Sequence, residues 1–183
     1  TVSVALGECC ILMLHERAGW TWNGTPPTLL KNKLQGRQRH LPAPTYVSMG
    51  SRDRYYIKFA DGKSEWVARD DKLSAELHGT TRSIKSVAFG EDDDTWMVVY
   101  DDGYWKWQGT LPSGLRKVLN EDGKANLTHV SLGPTGQYYI SKKNGRAWWG
   151  GTSDSNLDII REYKQRITFM DFGDDDNLFV RYE

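Results

Sequence analysis

A glycine-marked motif returns five times in this chain at nearly constant spacing, and few architectures accept such a period. The motif is an apolar residue, a small or acidic residue, an apolar residue and glycine. It stands at Val4-Ala5-Leu6-Gly7, Val47-Ser48-Met49-Gly50, Val87-Ala88-Phe89-Gly90, Val130-Ser131-Leu132-Gly133 and Met170-Asp171-Phe172-Gly173. From Gly7 to Gly50 to Gly90 to Gly133 to Gly173, a longer step alternates with one three positions shorter. A turn glycine follows each of the first four, at Gly19, Gly62, Gly103 and Gly145, and a tryptophan comes shortly after that, at Trp22, Trp66, Trp107 and Trp149. A fixed period of about 40 residues belongs to propellers, solenoids and arrays, whose units bury their apolar faces only by stacking on neighbours.

The alternation of long and short steps carries a second message. The long repeats share a segment that the short ones lack: Trp20-Thr21-Trp22-Asn23-Gly24-Thr25-Pro26-Pro27 matches Trp105-Lys106-Trp107-Gln108-Gly109-Thr110-Leu111-Pro112. A unit of two unlike repeats was therefore itself duplicated. The expected organisation is one repeat domain, with copies over residues 1–43, 44–84, 85–127 and 128–167 and a partial copy over 168–183.

Within a copy, apolar runs alternate with turn residues. From Val87 the chain reads as a strand, an acidic turn Glu91-Asp92-Asp93-Asp94, a second strand Trp96 to Tyr100, a turn Asp101-Asp102-Gly103 and a short aromatic strand to Trp107. In the first copy the second strand is Ile11 to Leu14 and the turn His15-Glu16-Arg17-Ala18-Gly19. Apolar residues one helical turn apart follow every third strand: Leu30 and Leu34, Leu73 and Leu77, Leu115 with Val118 and Leu119, and Leu157 with Ile160 and Tyr163. Each copy is thus expected to be three strands plus a short helix. The second strands Tyr55 to Phe59, Trp96 to Tyr100 and Tyr138 to Ile140 are apolar at nearly every position. Strands with one wet face alternate; these predict cover on both faces, as in sheets packed between neighbouring sheets.

Four full copies supply twelve strands and the tail, through Phe179-Val180-Arg181-Tyr182, completes two more. Five three-stranded blades, the last without its outer strand, account for all of them; four blades are the rival arrangement and leave two strands over. The period, strand count and recurring glycines and tryptophans resemble a small WD-like or tachylectin-type β-propeller, and the resemblance covers the whole chain. It implies a mainly β fold in which short, tryptophan-rich sheets ring a central axis.

Charge narrows the possible partners. Lys and Arg number 24 and Asp and Glu 24, so no net field favours nucleic acid. No apolar run is long enough to span a bilayer, and no membrane partner is expected. The chain opens on Thr1 rather than Met, which is compatible with a processed or shortened start. The only cysteines, Cys9 and Cys10, are adjacent and ill placed to bond to each other. The absence of a disulfide framework tilts the expectation toward the cytoplasm. Asn23-Gly24-Thr25 and Asn126-Leu127-Thr128 are glycosylation sequons that matter only on the secretory path.

Little in the sequence points to catalysis. His15, His40, His78 and His129 fall at different places in the repeat, no pair has metal-ligand spacing, and no serine or cysteine sits in a nucleophile motif. The clusters Glu91 to Asp94 and Asp174-Asp175-Asp176 lack the alternating ligands and central glycine of a calcium loop and read as solvated turns. We expect no enzyme, cofactor or metal; an enzyme working in a central funnel is the third-ranked reading.

The aromatic set is the strongest functional signal. Eight tryptophans and nine tyrosines are present, and Trp22, Trp66, Trp107 and Trp149 keep the repeat register, which predicts packing anchors between blades. Trp20, Tyr104, Trp105 and Trp148 flank those anchors in only three of the four complete copies, so packing does not demand them everywhere. An exposed ring beside amide or carboxylate side chains suits a sugar. We therefore expect Trp20, Tyr104, Trp105 and Trp148 to bind ligand, and a multivalent, lectin-like carbohydrate-binding propeller is the leading reading. The alternative is a protein-interaction scaffold, with one asymmetric surface along Lys31 to Pro44 and Arg116 to His129. The incomplete last blade offers a strand edge through which a homodimer could form.

Overall fold

The computed structural model describes residues 3–16, 19–37, 40–121, 126–164 and 166–183. Arg17 and Ala18 of the first expected turn lie outside the described residues. The first copy forms β1 (Ser3–Leu6), β2 (Cys10–His15) and β3 (Gly19–Gly24), followed by helix α1 (Thr28–Gln35). The second forms β4 (Pro44–Met49), β5 (Tyr55–Phe59), β6 (Ser64–Val67) and α2 (Asp71–Gly79). The third forms β7 (Ile84–Phe89), β8 (Trp96–Tyr100), β9 (Trp105–Gln108) and α3 (Ser113–Glu121). The fourth forms β10 (Leu127–Leu132), β11 (Tyr138–Lys142), β12 (Ala147–Gly150) and α4 (Asp154–Tyr163), and the tail forms β13 (Ile167–Phe172) and β14 (Leu178–Tyr182).

Each copy is an antiparallel meander in chain order, so the described residues form four three-stranded sheets and one two-stranded sheet. The turn between the second and third strands carries a glycine at positive φ, +83° at Gly62, +88° at Gly103 and +79° at Gly145, where a Cβ is disfavoured. The first strands β1, β4, β7, β10 and β13 stand side by side, and β13 returns to β1. The sheets are therefore five blades closed into a ring, the last without an outer strand.

The first strand of each blade has an unpaired edge at the axis, whose peptide groups need partners. Side chains of the preceding blade supply them. Ser3 Oγ donates to the Val47 carbonyl at 3.4 Å and accepts from the Val47 amide at 3.2 Å. The Tyr46 hydroxyl donates to the Val87 carbonyl at 3.0 Å and accepts from its amide at 3.3 Å. His129 Nε2 donates to the Met170 carbonyl at 3.2 Å. All three sit one residue before the glycine-marked motif and reach the same position of the next blade.

The helices fill the seams between blades. α1 buries Leu30 and Leu34, α2 buries Leu73 and Leu77, and α3 buries Leu115, Val118 and Leu119. In α4 only Ile160 is buried; Leu157 is half-buried, and Tyr163 stacks on Tyr182 with ring centroids 4.2 Å apart. Asp70 caps α2 by accepting from the Lys72 amide, and Ser153 caps α4 by accepting from the Asn156 amide. Between blades, Leu12, Leu14 and Ile57 pack around α1, Val98 and Tyr100 around α2, and Met97, Val99 and Ile140 around α3. All five residues of β8 are buried, as double cover requires. The stretches Lys31 to Pro44 and Arg116 to His129 are partly regular structure: α1 runs to Gln35 and β4 begins at Pro44, while α3 runs to Glu121 and β10 begins at Leu127. Gln38, Arg39 and residues 122–125 of those segments lie outside the described residues.

Candidate functional site

The axis is the first place to look for a site, because loops and inner strands converge there. Its cavity measures about 10 Å³, room for roughly one water, so it holds no substrate. Its wall closes the ring between blades 4, 5 and 1. Asp171 Oδ2 accepts the Leu6 amide at 2.8 Å, and Oδ1 accepts the Ser131 hydroxyl at 2.6 Å. Burial pushes the Asp171 carboxyl up to about 7. Burial likewise holds the His129 imidazole down at about 4, which keeps it neutral and leaves Nε2–H for Met170. These polar groups satisfy backbone and join blades.

The acidic turns also have structural partners. Arg54, 1% exposed, donates to the carbonyls of Asp92 and Gly90, each at 2.7 Å, and to Ser51 Oγ at 2.8 Å. Arg52 donates to Asp93 Oδ2 at 2.7 Å, and its amide donates to Glu8 Oε2 at 3.0 Å. Blade 2 thus grips the turns of blades 1 and 3. Asp176 accepts from Thr152 Oγ1 at 2.7 Å, the Ser153 amide at 3.0 Å and Asn156 Nδ2 at 2.9 Å. Burial raises its carboxyl, but hydrogen bonds from Ser153, Thr152 and Gln137 outweigh that and hold it at about 2. Among the described residues, no three His, Cys, Asp or Glu side chains gather as metal ligands.

The four candidate aromatics are dispersed over three seams. Trp20 is half-buried against the core around α1, and Tyr104 against that around α2. Trp105 and Trp148 enter the core around α3 from opposite blades. Trp105 is 8% exposed and offers no ring face to a sugar. Trp148 lies under Lys142 Nζ, 4.6 Å from the ring centroid, and Tyr104 under the Arg82 guanidinium at 4.4 Å. Among the anchors, Trp22, Trp66 and Trp149 pack against their seams as expected, but Trp107 is 39% exposed. The correction has a geometric reason: Trp105 and Trp107 pair with Val99 and Met97 and share one face, and Trp105 fills the space under α3.

The remaining seam, between blades 5 and 1, is unlike the other four. No helix lies in it among the described residues, whose last element is the second strand of blade 5. Equivalent positions are fixed by the turn bond from each motif glycine: Gly50 to the Arg54 carbonyl at 2.9 Å, Gly90 to Thr95 at 2.9 Å, Gly133 to Gln137 at 2.8 Å and Gly7 to Cys10 at 2.9 Å. One residue on, Tyr55, Trp96 and Tyr138 face the preceding blade and are 4%, 4% and 9% exposed, whereas Ile11 is 40% exposed. Opposite, Phe179 is half-buried where its equivalents Leu12, Met97 and Tyr139 are fully covered. A cleft of about 360 Å³ opens here, lined by Leu6, Ile11, Asn23, Leu178 and Phe179 among others. Sequence reasoning did not single out Ile11 or Phe179. The missing third strand was the available signal, since it marks whichever residues lose their cover.

The sequence matches no protein-family model and no curated protein. Among solved structures, the Cps50 (Swd1) beta-propeller domain of Myceliophteria thermophila overlays with a TM-score of 0.43 at 6% identity over 84% of this chain and 53% of that one. Human WBSCR16 overlays with a TM-score of 0.38 at 10% identity, over 98% of this chain and 62% of that one. The chain spans roughly half to three-fifths of the length of these structures. On the strength of its own ring of sheets, the chain is a β-propeller.

Proposed function

We propose that this chain, a single domain of four repeats and a partial fifth, is a non-enzymatic protein-interaction scaffold whose partners dock on the seam between blades 5 and 1. One observation carries this reading. The seam leaves Ile11 40% exposed where Tyr55, Trp96 and Tyr138 at the same position are at most 9% exposed and Leu178 is half-buried, beside a cleft and a strand edge. An exposed apolar patch bordered by polar residues is the usual form of a protein contact. The carbohydrate reading required repeated exposed rings; Trp20, Tyr104, Trp105 and Trp148 lie in three seams, and the first of these is only half-buried while Trp105 is enclosed. A glycan array on the purified protein tests what remains of it.

The test of the scaffold reading is site-directed photocross-linking in extract. A photoreactive side chain is placed at position 11, and in a control at position 29, since Leu29 is 61% exposed on the far side of α1. The expected result is protein captured at position 11 and not at 29, suppressed by excess unmodified protein but not by the Ile11→Arg variant. Equal capture at both positions, or none at position 11, refutes docking at the seam.

A further inference from the structure

We infer that Asn144 is a self-modification site: its side-chain amide is lost to the following backbone nitrogen as ammonia, and the residue becomes an acid without enzyme or cofactor. This is independent of the seam between blades 5 and 1.

The turn comes first. β11 and β12 are joined by Lys143-Asn144-Gly145, closed by the Lys142 amide on the Arg146 carbonyl at 2.9 Å and the Gly145 amide on the Lys142 carbonyl at 3.0 Å. The turns between β5 and β6 and between β8 and β9 are built alike: the Gly62 amide bonds the Phe59 carbonyl at 3.0 Å and the Gly103 amide the Tyr100 carbonyl at 2.8 Å. In all three, the residue before the glycine uses its Oδ1 to accept the amide two positions on. Lys63 donates to Asp61 at 3.1 Å, Tyr104 to Asp102 at 2.9 Å and Arg146 to Asn144 at 3.1 Å. Blades 2 and 3 hold an aspartate at this place; blade 4 holds the matching amide. The turn therefore already accepts the acid that the reaction produces.

The chemistry follows from the neighbours. The Gly145 nitrogen, after giving its proton to solvent base, attacks Asn144 Cγ. A C–N bond forms to close a five-membered imide, the bond to the side-chain NH2 breaks, and that group takes up a proton and leaves as ammonia. Water then opens the imide at either carbonyl, leaving aspartate or isoaspartate at position 144. Glycine brings no side chain to crowd the ring, and nothing lies within 4 Å of where a Gly145 Cβ would stand. The Arg146 amide, bonded to Oδ1, stabilises the negative charge that gathers there as the nitrogen adds. Lys143 and Arg146, both exposed, flank the reacting peptide and favour its deprotonated form. Loss of ammonia makes the change irreversible, and the new carboxylate stands beside Arg146 as Asp61 stands beside Lys63, whose Nζ is 3.8 Å away.

The chain contains a second Asn-Gly pair, Asn23-Gly24, which serves as an internal control. Asn23 is also exposed, but it lies within β3 opposite Ile11, and the Thr25 amide continues that ladder to the Cys9 carbonyl at 3.0 Å. Ring closure requires the peptide after the asparagine to swing round. In β3 this breaks strand pairing, and Gly24 is hemmed in, since a Cβ there would meet the Cys9 carbonyl oxygen at 2.0 Å. In the blade 4 turn it breaks the bond from Gly145 to Lys142 at an exposed tip.

The experiment incubates the folded full chain at mildly alkaline pH in heavy-oxygen water, whose label enters where the imide is hydrolysed. Digestion in ordinary water and mass spectrometry of the peptides then locate the label. A sample denatured in guanidinium chloride runs alongside as the chemical clock. The expected result is label at residue 144, appearing about tenfold or more faster than at residue 23 of the same molecules. Asn144→Gln keeps an amide but would have to close a larger ring, and it should lose the label from that peptide; Asn144→Asp marks where the aspartate product elutes. Label at residue 23 as fast as at residue 144 overturns the inference. So does an unlabelled residue 144 in the folded chain once the denatured sample is labelled there, and so does label that persists in the same peptide of Asn144→Gln.

Discussion

The two titrating side chains at the axis oppose one another, and stability measured against pH should reveal them only when one is removed. Asp171 holds its proton up to about 7 in the folded ring, against 3.8 when free. Between those values the folded state carries a proton that the unfolded state lacks, so stability falls as pH rises. The full shift corresponds to about 4 kcal/mol, and water reaching the half-buried carboxyl reduces this to about 2–4 kcal/mol. His129 works in the other direction. Its folded value is about 4 against 6.5 when free. In that window the unfolded state holds the extra proton, and stability rises with pH by about 2–3 kcal/mol. Tyr46, which also faces Asp171, is pushed upward by burial and does not titrate in this range. The wild-type protein is therefore expected to vary by about 1 kcal/mol or less between about pH 4.5 and 6.5, through cancellation. Asp171→Asn keeps an acceptor for Leu6 and a donor for Ser131, and exposes the histidine slope: stability climbs with pH. His129→Gln exposes the carboxyl slope: stability drops until about pH 7. Urea denaturation followed by tryptophan fluorescence at constant ionic strength measures this, with unchanged m-values as the control for compactness. Other titrating groups, Asp174 included, are common to all three proteins and cancel in the comparison. Parallel curves for wild type and both variants would refute the reasoning, as would slopes of the opposite sign.

Three further outcomes follow from the packing. Arg54→Met leaves the Gly90 and Asp92 carbonyls without their donor beneath the surface, and should cost about 3–5 kcal/mol in thermal or urea unfolding, with no comparable loss for the exposed Arg52→Met. Trp105→Ala should cost about 3–5 kcal/mol and Trp107→Ala less than about 1 kcal/mol in the same assay, reversing the order that repeat register suggests. Alkylation of the native protein at mild alkaline pH should give one adduct, at Cys9: Cys10 is buried and burial pushes its thiol up to about 11, helped by neighbouring Cys9; modification of both at equal rates would show that the start of β2 opens.

The period, the meander of each copy and the helix after each third strand were legible because they rest on local chemistry: turn glycines, apolar runs and leucines one helical turn apart. The blade count was legible because strands can be tallied. The burial of individual aromatics was not. Trp105 and Trp107 share a face of β9, and only the position of α3 along the strand decides which of them is covered. The capping of inner edges was also hidden, because Ser3, Tyr46 and His129 are chemically unlike and align only once the ring places them. The acidic turn Glu91 to Asp94 read correctly as a turn, but its arginine partners lie a whole repeat away in a neighbouring blade, as the 41-residue separation of Arg52 and Asp93 shows. The open seam was implied by the unfinished fifth copy; its exposed residues could be named only after the blades were set in register.

Five is odd, and the repeats come in two kinds. Doubling a pair of unlike units gives an alternating series, and an alternating series cannot run without a fault around a ring with an odd number of members. Three junctions join a long repeat to a short one; of the two that the partial fifth copy makes, the one where blade 5 meets blade 1 also has no helix among the described residues. That junction has no counterpart elsewhere in the molecule. Substitutions at Ile11 or Phe179 need not be matched in sister positions to keep the ring regular, whereas a change at Tyr55 or Trp96 alters a contact that its sister seams also depend on. Parity alone gives this ring one place free to diverge, before any partner has arrived to use it.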